Sequence, residues 1–191
     1  MGGNRRDTRL REFSYSEARP YFLTVCCENM SHYLSRIKRE NVEITFVGDG
    51  VLDVPLPEGQ KNARQMFDFT EYGVIVENKI EELSRQSTSI RVDNYVIMPN
   101  HVHFLLSVIS TQGTSRTPSP TNKYPAPSRN NETVPRFVSY FKRSTNCLCG
   151  RNIWQRSYYD HVIRNNDDYE SHYDYITNNP VRWFTDKYFT E

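Results

Sequence analysis

The sequence predicts an α+β sandwich of ferredoxin-like or RRM-like type, a central antiparallel sheet with helices on one face and a further helix at the C-terminus. Three observations carry that expectation. Residues 91–109 read as two apolar strands joined at Pro99-Asn100. Stretches with helical apolar spacing, 66–85 and 134–148, stand on either side of that pair. A last helical stretch, 166–180, follows one more strand-like run. Runs of strands and helices in that order build a sheet with helices packed on one face.

The chain has 191 residues, enough for one domain with a real core, and residues 1–191 read as a single domain. No run approaches the ~18 apolar residues needed to cross a bilayer. The N-terminal residues Met1-Gly-Gly-Asn-Arg-Arg-Asp7 have no apolar stretch behind their charges, so they do not read as a secretory signal. Cys26, Cys27, Cys147 and Cys149 have spacings that fit neither a zinc ribbon nor a thioredoxin-like pair, and read as reduced cysteines of a cytosolic protein.

The formal net charge is only +1, but it hides an asymmetry. Residues 40–82 hold ten acidic and three basic side chains. Residues 136–165 hold six basic ones (Arg136, Lys142, Arg143, Arg151, Arg156, Arg164) against Asp160. Arg5, Arg6, Arg9 and Arg11 face only Asp7. The basic region is interleaved with Phe137, Tyr140, Phe141, Trp154, Tyr158 and Tyr159. Cations for phosphates and rings for unstacked bases suit single-stranded nucleic acid. A solvated helix face beside a core has the same composition.

In chain order, residues 1–18 are polar and arginine-rich, an arm. Residues 20–27 are β-branched and aromatic, a strand. Residues 33–56 alternate in fragments broken by Gly48-Asp-Gly50, a small hairpin or irregular excursion. In 66–85, Val76, Ile80 and Leu83 recur at helical spacing with Glu77, Glu81 and Glu82 between them. In the central pair, side chains two apart share a face. His101 and His103 therefore project together with Leu105, while Val102, Phe104 and Leu106 point to the core. Residues 110–131 hold four Ser, four Thr and four Pro with one apolar aliphatic side chain, Ala126, and read as a loop insertion. A helix over 134–148 and an aromatic strand over 153–164 follow. The last helix has acidic residues in its first turn, a capping-box spacing at Asp167 and Glu170, and Pro180 as its stop. Tyr169, Tyr173 and Ile176 form the stripe expected to face the core, with Tyr175 and Asn179 on a neighbouring stripe and His172 close by.

Two histidines on one strand can supply two ligands of a divalent metal and leave positions open for water or substrate oxygens. They can equally be two ordinary strand histidines, although polar groups between apolar walls need partners. Tyr175 and Asn179 offer a phenol and an amide oxygen on one helix face, or plain packing. A phenol with a pKa near 10 becomes a better nucleophile beside a cation.

Tyr95-Val-Ile-Met-Pro-Asn-His-Val-His-Phe-Leu-Leu106 resembles the signature of the HUH single-tyrosine transposases, in which two histidines flank one hydrophobic residue on a strand. Asn152-Ile-Trp-Gln-Arg-Ser-Tyr-Tyr-Asp-His-Val-Ile-Arg-Asn-Asn-Asp-Asp-Tyr169, continuing to Asp174-Tyr-Ile-Thr-Asn-Asn-Pro-Val181, resembles the REP-associated tyrosine transposases within the IS200-like group. The resemblance is close over 90–109 and 136–181 and loose over 20–27 and 70–86. It implies Mg²⁺ or Mn²⁺ held by His101, His103 and Asn179, with Tyr175 as the catalytic nucleophile. Tyr175 would attack a phosphodiester of hairpin-bearing single-stranded DNA, leaving a 5′-phosphotyrosine link and a free 3′-OH for rejoining. It places DNA contacts on Arg5, Arg6, Arg136, Lys142, Arg143, Arg151, Trp154, Arg156 and Arg164. It further implies a bacterial cytoplasmic protein acting at the nucleoid, as a monomer or a homodimer with exchanged helices. The insertion at 110–131 and the excursion at 40–65 depart from the family's pattern without removing a catalytic position. A domesticated hairpin-DNA-binding protein that no longer cleaves shares the same basic aromatic stretch. A hydrolytic metalloenzyme for small substrates would need a general base. Asp174, the nearest carboxylate, is turned roughly 100° from Tyr175 on the helix.

Overall fold

The computed structural model describes residues 17–38, 66–109 and 132–190. The arm at 1–16, most of the excursion and the insertion at 110–131 lie outside the described residues. The elements are β1 (Pro20–Cys26), β2 (Ser35–Ile37), β3 (Phe67–Phe69), α1 (Glu71–Gln86), β4 (Ile90–Ile97), β5 (His101–Val108), α2 (Thr133–Leu148), β6 (Tyr159–Val162) and α3 (Asn166–Asn178). A 3₁₀ segment, Asn179–Thr185, follows α3. The main sheet runs β4-β5-β1-β6, all antiparallel. With β2 and β3 set aside as a separate two-stranded ribbon, the order is the βαββαβ arrangement of the ferredoxin-like sandwich.

Period-two alternation decides which side of the sheet each residue serves. Tyr21, Leu23 and Val25 of β1 and Val102, Phe104 and Leu106 of β5 face α1 and α2. There they meet Val76, Ile80 and Leu83 of α1 and Val134, Phe137, Val138 and Phe141 of α2. Phe104 is wholly buried, edge-on to both Phe137 and Phe141. Burying a side chain of that size contributes ~1.5–3 kcal/mol. The opposite face carries a smaller cluster of Val96, Met98, Leu105, Ile163, Ile176 and Trp183, closed by α3 and the 3₁₀ segment. His101 and His103 lie on this second face, opposite Cys26 and Thr24 of β1.

The first helix begins later than its periodicity suggests. Phe67 and Phe69 pair with Ile37 and Ser35 as a strand, and Phe67 is buried. Thr70 then caps α1 by accepting from Gly73 N at 3.1 Å. Gly73 is required by contact: a Cβ there would stand 2.0 Å from the Leu34 carbonyl oxygen. The expected strand over 153–164 shrinks to Tyr159–Val162. The residues before it form an irregular strap, held by one bridge from Trp154 to Cys27 and by the Lys142 ammonium on the Gln155 and Ser157 carbonyls. In α3 the N-cap is Asn165, which accepts from Asp168 N, and not Asp167. Of the three residues expected to face the core, Ile176 is buried, Tyr169 is partly so, and Tyr173 is exposed. Pro180 does not end the turning of the chain. It sits at the start of the 3₁₀ segment, where its missing N–H costs nothing. No helix among the described residues is long and apolar enough to cross a membrane.

Candidate active site

His101 and His103 have no exposed surface, and their Nε2 atoms are 3.0 Å apart. The second nitrogen of each ring decides where its proton sits. His101 Nδ1 is 2.8 Å from Asn100 Oδ1. The Asn100 amide is oriented in turn by its Nδ2, which donates to the Tyr188 carbonyl at 2.8 Å. A carbonyl oxygen only accepts, so the His101 proton is on Nδ1 and its Nε2 is bare. His103 Nδ1 is 2.9 Å from the Thr24 hydroxyl, which can donate or accept. With its proton on Nε2, His103 donates to His101. With its proton on Nδ1, two bare nitrogens converge, which is how a pair of imidazoles presents itself to a metal. Burial, with Lys187 nearby, pushes the His101 conjugate acid down to about 3, and burial and the neighbouring His101 push His103 down as well. Both rings are therefore neutral, the form that ligates.

The segment after α3 completes the cluster. Asp186 brings a carboxylate oxygen that, with one nitrogen from each histidine, forms a group within 4.8 Å. Its Oδ2 accepts from Tyr175 Oη at 2.9 Å and from Asn179 Nδ2 at 2.8 Å. The Tyr175 ring stands 5.2 Å from that of His103, both in the same chain. Burial comes first, then the Asp186 charge, in raising the phenol above its ordinary pKa of 10. Asn179 is buried, and its Oδ1 has no hydrogen-bond partner among the described residues. Leaving such an acceptor unmet costs roughly 1–3 kcal/mol. Two neutral imidazoles, one carboxylate and one unmet amide oxygen are a donor set that fits a divalent metal.

The residues singled out in the sequence have different outcomes. His101, His103, Tyr175 and Asn179 come together. The proposed DNA-contacting side chains divide: Arg136, Arg143, Arg151, Arg156 and Arg164 are exposed, with Arg151 lying 4.9 Å over the Tyr33 ring. Trp154 instead is buried against Phe141 and donates from Nε1 to Thr145 Oγ1 at 2.7 Å. Lys142 is engaged by the two main-chain carbonyls of the strap. Arg5 and Arg6 lie outside the described residues. Sequence reasoning missed Asp186, Asn100, Thr24 and Tyr188. Asp186 lies past Pro180, beyond the reach of helical spacing, and Asn100 reads in sequence only as a turn residue.

No protein-family model matches the chain. In sequence it is similar to an uncharacterized protein of Haemophilus influenzae, 26% identical over 195 residues, covering 98% of this chain and 94% of that one. It is also similar to the REP-associated tyrosine transposase of Escherichia coli, 25% identical over 122 residues, covering 64% of this chain and 62% of that one. In structure it is similar to a REP-associated tyrosine transposase bound to a REP hairpin, with a TM-score of 0.51 and 18% identity, over 95% of this chain and 74% of that one.

Proposed function

We propose, from the premise that this chain is a relative of the REP-associated tyrosine transposases, that it cleaves and rejoins hairpin-bearing single-stranded DNA through Tyr175. The observation that carries the reading is the Tyr175 hydroxyl bonded at 2.9 Å to a carboxylate that also stands at the histidine pair. Nucleophile, proton acceptor and metal-ligand atoms thus converge within one chain.

In the proposed reaction Tyr175 Oη forms a bond to phosphorus, and the bond from phosphorus to the 3′ oxygen breaks. The phenol proton passes to Asp186 Oδ2, which already accepts it as a hydrogen bond. The departing 3′ oxygen keeps the electron pair and takes up a proton, leaving a 3′-OH and a 5′-phosphotyrosine. Rejoining is the reverse, by attack of a 3′-OH on the phosphotyrosine. Asn179 Nδ2 donates to the same oxygen and so helps fix the base against the tyrosine. His101, His103 and Asn179, with Asp186 in reach, would hold Mg²⁺ or Mn²⁺, which when bound polarises phosphate oxygens as a Lewis acid. Arg136, Arg143, Arg151, Arg156 and Arg164 offer exposed charges for the DNA backbone.

The test is incubation of the protein with a labelled hairpin-bearing single strand and Mn²⁺. A covalent adduct is expected, and Tyr175→Phe should abolish it while leaving DNA binding intact. An adduct that survives in Tyr175→Phe removes Tyr175 from its role. One observation favours a second reading: the imidazoles are wholly covered, with the Tyr188 ring 4.7 Å from that of His101. A hairpin-binding protein that does not cleave would show chelator-insensitive binding and no adduct with any metal.

A further inference from the structure

A second group of metal-ligating side chains lies on the same face of the sheet, outside the cluster just described. His161 projects from the edge strand β6, opposite Phe22. Asp168 and His172 are four apart on α3 and so share one of its stripes. One donor atom from each of the three falls in a group within 4.8 Å. His161 Nε2 is 3.0 Å from Asp168 Oδ2, and His172 Nδ1 is 3.1 Å from Asp168 Oδ1. The two imidazoles stack with centroids 4.8 Å apart and planes 17° from parallel. Phe22 separates this group from the first, its ring 4.7 Å from that of His172 and 5.0 Å from that of His103.

We infer that His161, Asp168 and His172 form a metal site that fastens the tyrosine-bearing helix to the edge of the sheet. The spacing fits. Ligand atoms at about 2.0–2.2 Å from a first-row ion stand roughly 2.9–3.5 Å from one another in tetrahedral or octahedral geometry. His161 Nε2 and the Asp168 carboxylate already stand at that spacing, and a rotation of the stacked His172 ring brings its nitrogen to the same point. His172 Nδ1 donates to the Asp168 main-chain carbonyl at 2.8 Å, so metal binding at this ring uses Nε2 and requires the ring to turn toward the carboxylate. The carboxylate is held in place. Asp168 is fixed by the Arg164 N–H on its Oδ2 at 2.9 Å, while its own N–H is taken by the Asn165 cap. Two imidazoles and one carboxylate, with no thiolate, select Zn²⁺, Mn²⁺ or Fe²⁺ over Cu⁺. All three side chains are partly exposed and leave open coordination positions. His161 and His172 also line a cleft of about 530 Å³ with Thr24, Lys187 and Tyr188.

The consequence follows from how lightly α3 is held. Of its thirteen residues only Ile176 is buried. Asn94 Nδ2 adds bonds to Thr177 Oγ1 at 3.2 Å and to the Tyr173 carbonyl at 3.4 Å. A metal bridging β6 and α3 therefore contributes a larger share of the anchoring than it would on a well-buried helix. It acts three residues before Tyr175. The inference rests on the geometry of the three ligands and not on the strand-transfer reading.

The test uses the full chain, stripped of metal, and titrates Zn²⁺ by calorimetry in the wild type and in His161→Ala/His172→Ala. The substituted side chains are partly exposed, so the variant is expected to fold, and its circular dichroism confirms this. The expected result is a loss of one equivalent of Zn²⁺, whatever the wild-type total. Zn²⁺ should also raise the thermal midpoint less in the variant than in the wild type. If the first cluster holds no metal, the total falls from one equivalent to none and the inference still stands. Equal stoichiometry in the two proteins overturns it, as does a wild type that binds no Zn²⁺. Should the variant not fold, Co²⁺ absorption in Asp168→Asn against the wild type makes the same comparison. An unchanged ligand-field spectrum then refutes the site.

Discussion

Replacing Asn100 separates two jobs that its side chain performs at once. Its Oδ1 sets the proton of His101, and its Nδ2 holds the Tyr188 carbonyl, each at 2.8 Å and at a fully buried position. Asn100→Ala orphans both partners. Each unmet buried partner costs roughly 1–3 kcal/mol, and since the two share one site the sum is about 2–4 kcal/mol. The same change frees His101 to move its proton to Nε2, where it blocks ligation. Loss of such an orienting partner lowers metal affinity by about 10–100-fold, which is about 1.4–2.7 kcal/mol. Asn100→Asp is the control that tells the two apart. It keeps an acceptor for His101 but sets a carboxylate oxygen against the Tyr188 carbonyl. Denaturant unfolding should find both variants destabilised. Mn²⁺ titration should find affinity lost in Asn100→Ala and retained in Asn100→Asp. Equal affinity in Asn100→Ala and the wild type would refute the argument that this amide fixes the ligating nitrogen. Equal loss in both variants would show that Asn100 matters only through packing.

Two further outcomes follow from burial. Trp154→Ala should destabilise the protein by about 3–5 kcal/mol in chemical denaturation, since it removes a ring packed on Phe141 and the hydrogen bond that Nε1 donates to Thr145; a change confined to DNA affinity would show that the ring faces the nucleic acid. The depressed His101 pKa makes the folded state bind fewer protons than the unfolded state between about pH 6.5 and 3, so stability falls as pH drops through that window. The slope from His101 is up to about 1.4 kcal/mol per pH unit. Metal-free protein should therefore unfold at lower denaturant at pH 5.5 than at pH 7.5, and a level profile would mean that the ring is solvated.

How much of this was legible in the sequence depends on whether a residue sits in a regular element. Period two put His101 and His103 on one face of a strand, and the i, i+4 rule put Tyr175 and Asn179 on one stripe of a helix. Those periodicities hold because backbone hydrogen bonding fixes them locally. The fold class was legible from the succession of strand-like and helical runs, strand, helix, strand, strand, helix, strand. Residues in irregular backbone were not legible. Trp154 lies in a strap that bridges to Cys27, just past β1, and nothing in Ile153-Trp-Gln-Arg156 says which side of the strap faces inward. The ribbon of β2 and β3 has only three-residue strands, too short to show alternation.

Asp186 marks the boundary most clearly, because it matters and no local rule reaches it. The 3₁₀ segment from Asn179 carries the chain back over the sheet, and Trp183 is buried at its end. That apolar anchor sets where the next residues fall. Asp186, three residues on, is then brought under Tyr175 and Asn179, while the Tyr188 carbonyl reaches Asn100. The ionisable group is positioned by the burial of an aromatic side chain, which is non-local and leaves no periodic trace. The same dependence couples the site to the end of the chain. Any motion that lifts Trp183 removes the proton acceptor of Tyr175, the partner of Asn179 and the orienting contact of Asn100 together. Tyr175 and the histidines that face it therefore depend on the packing of Trp183, eight residues beyond Tyr175.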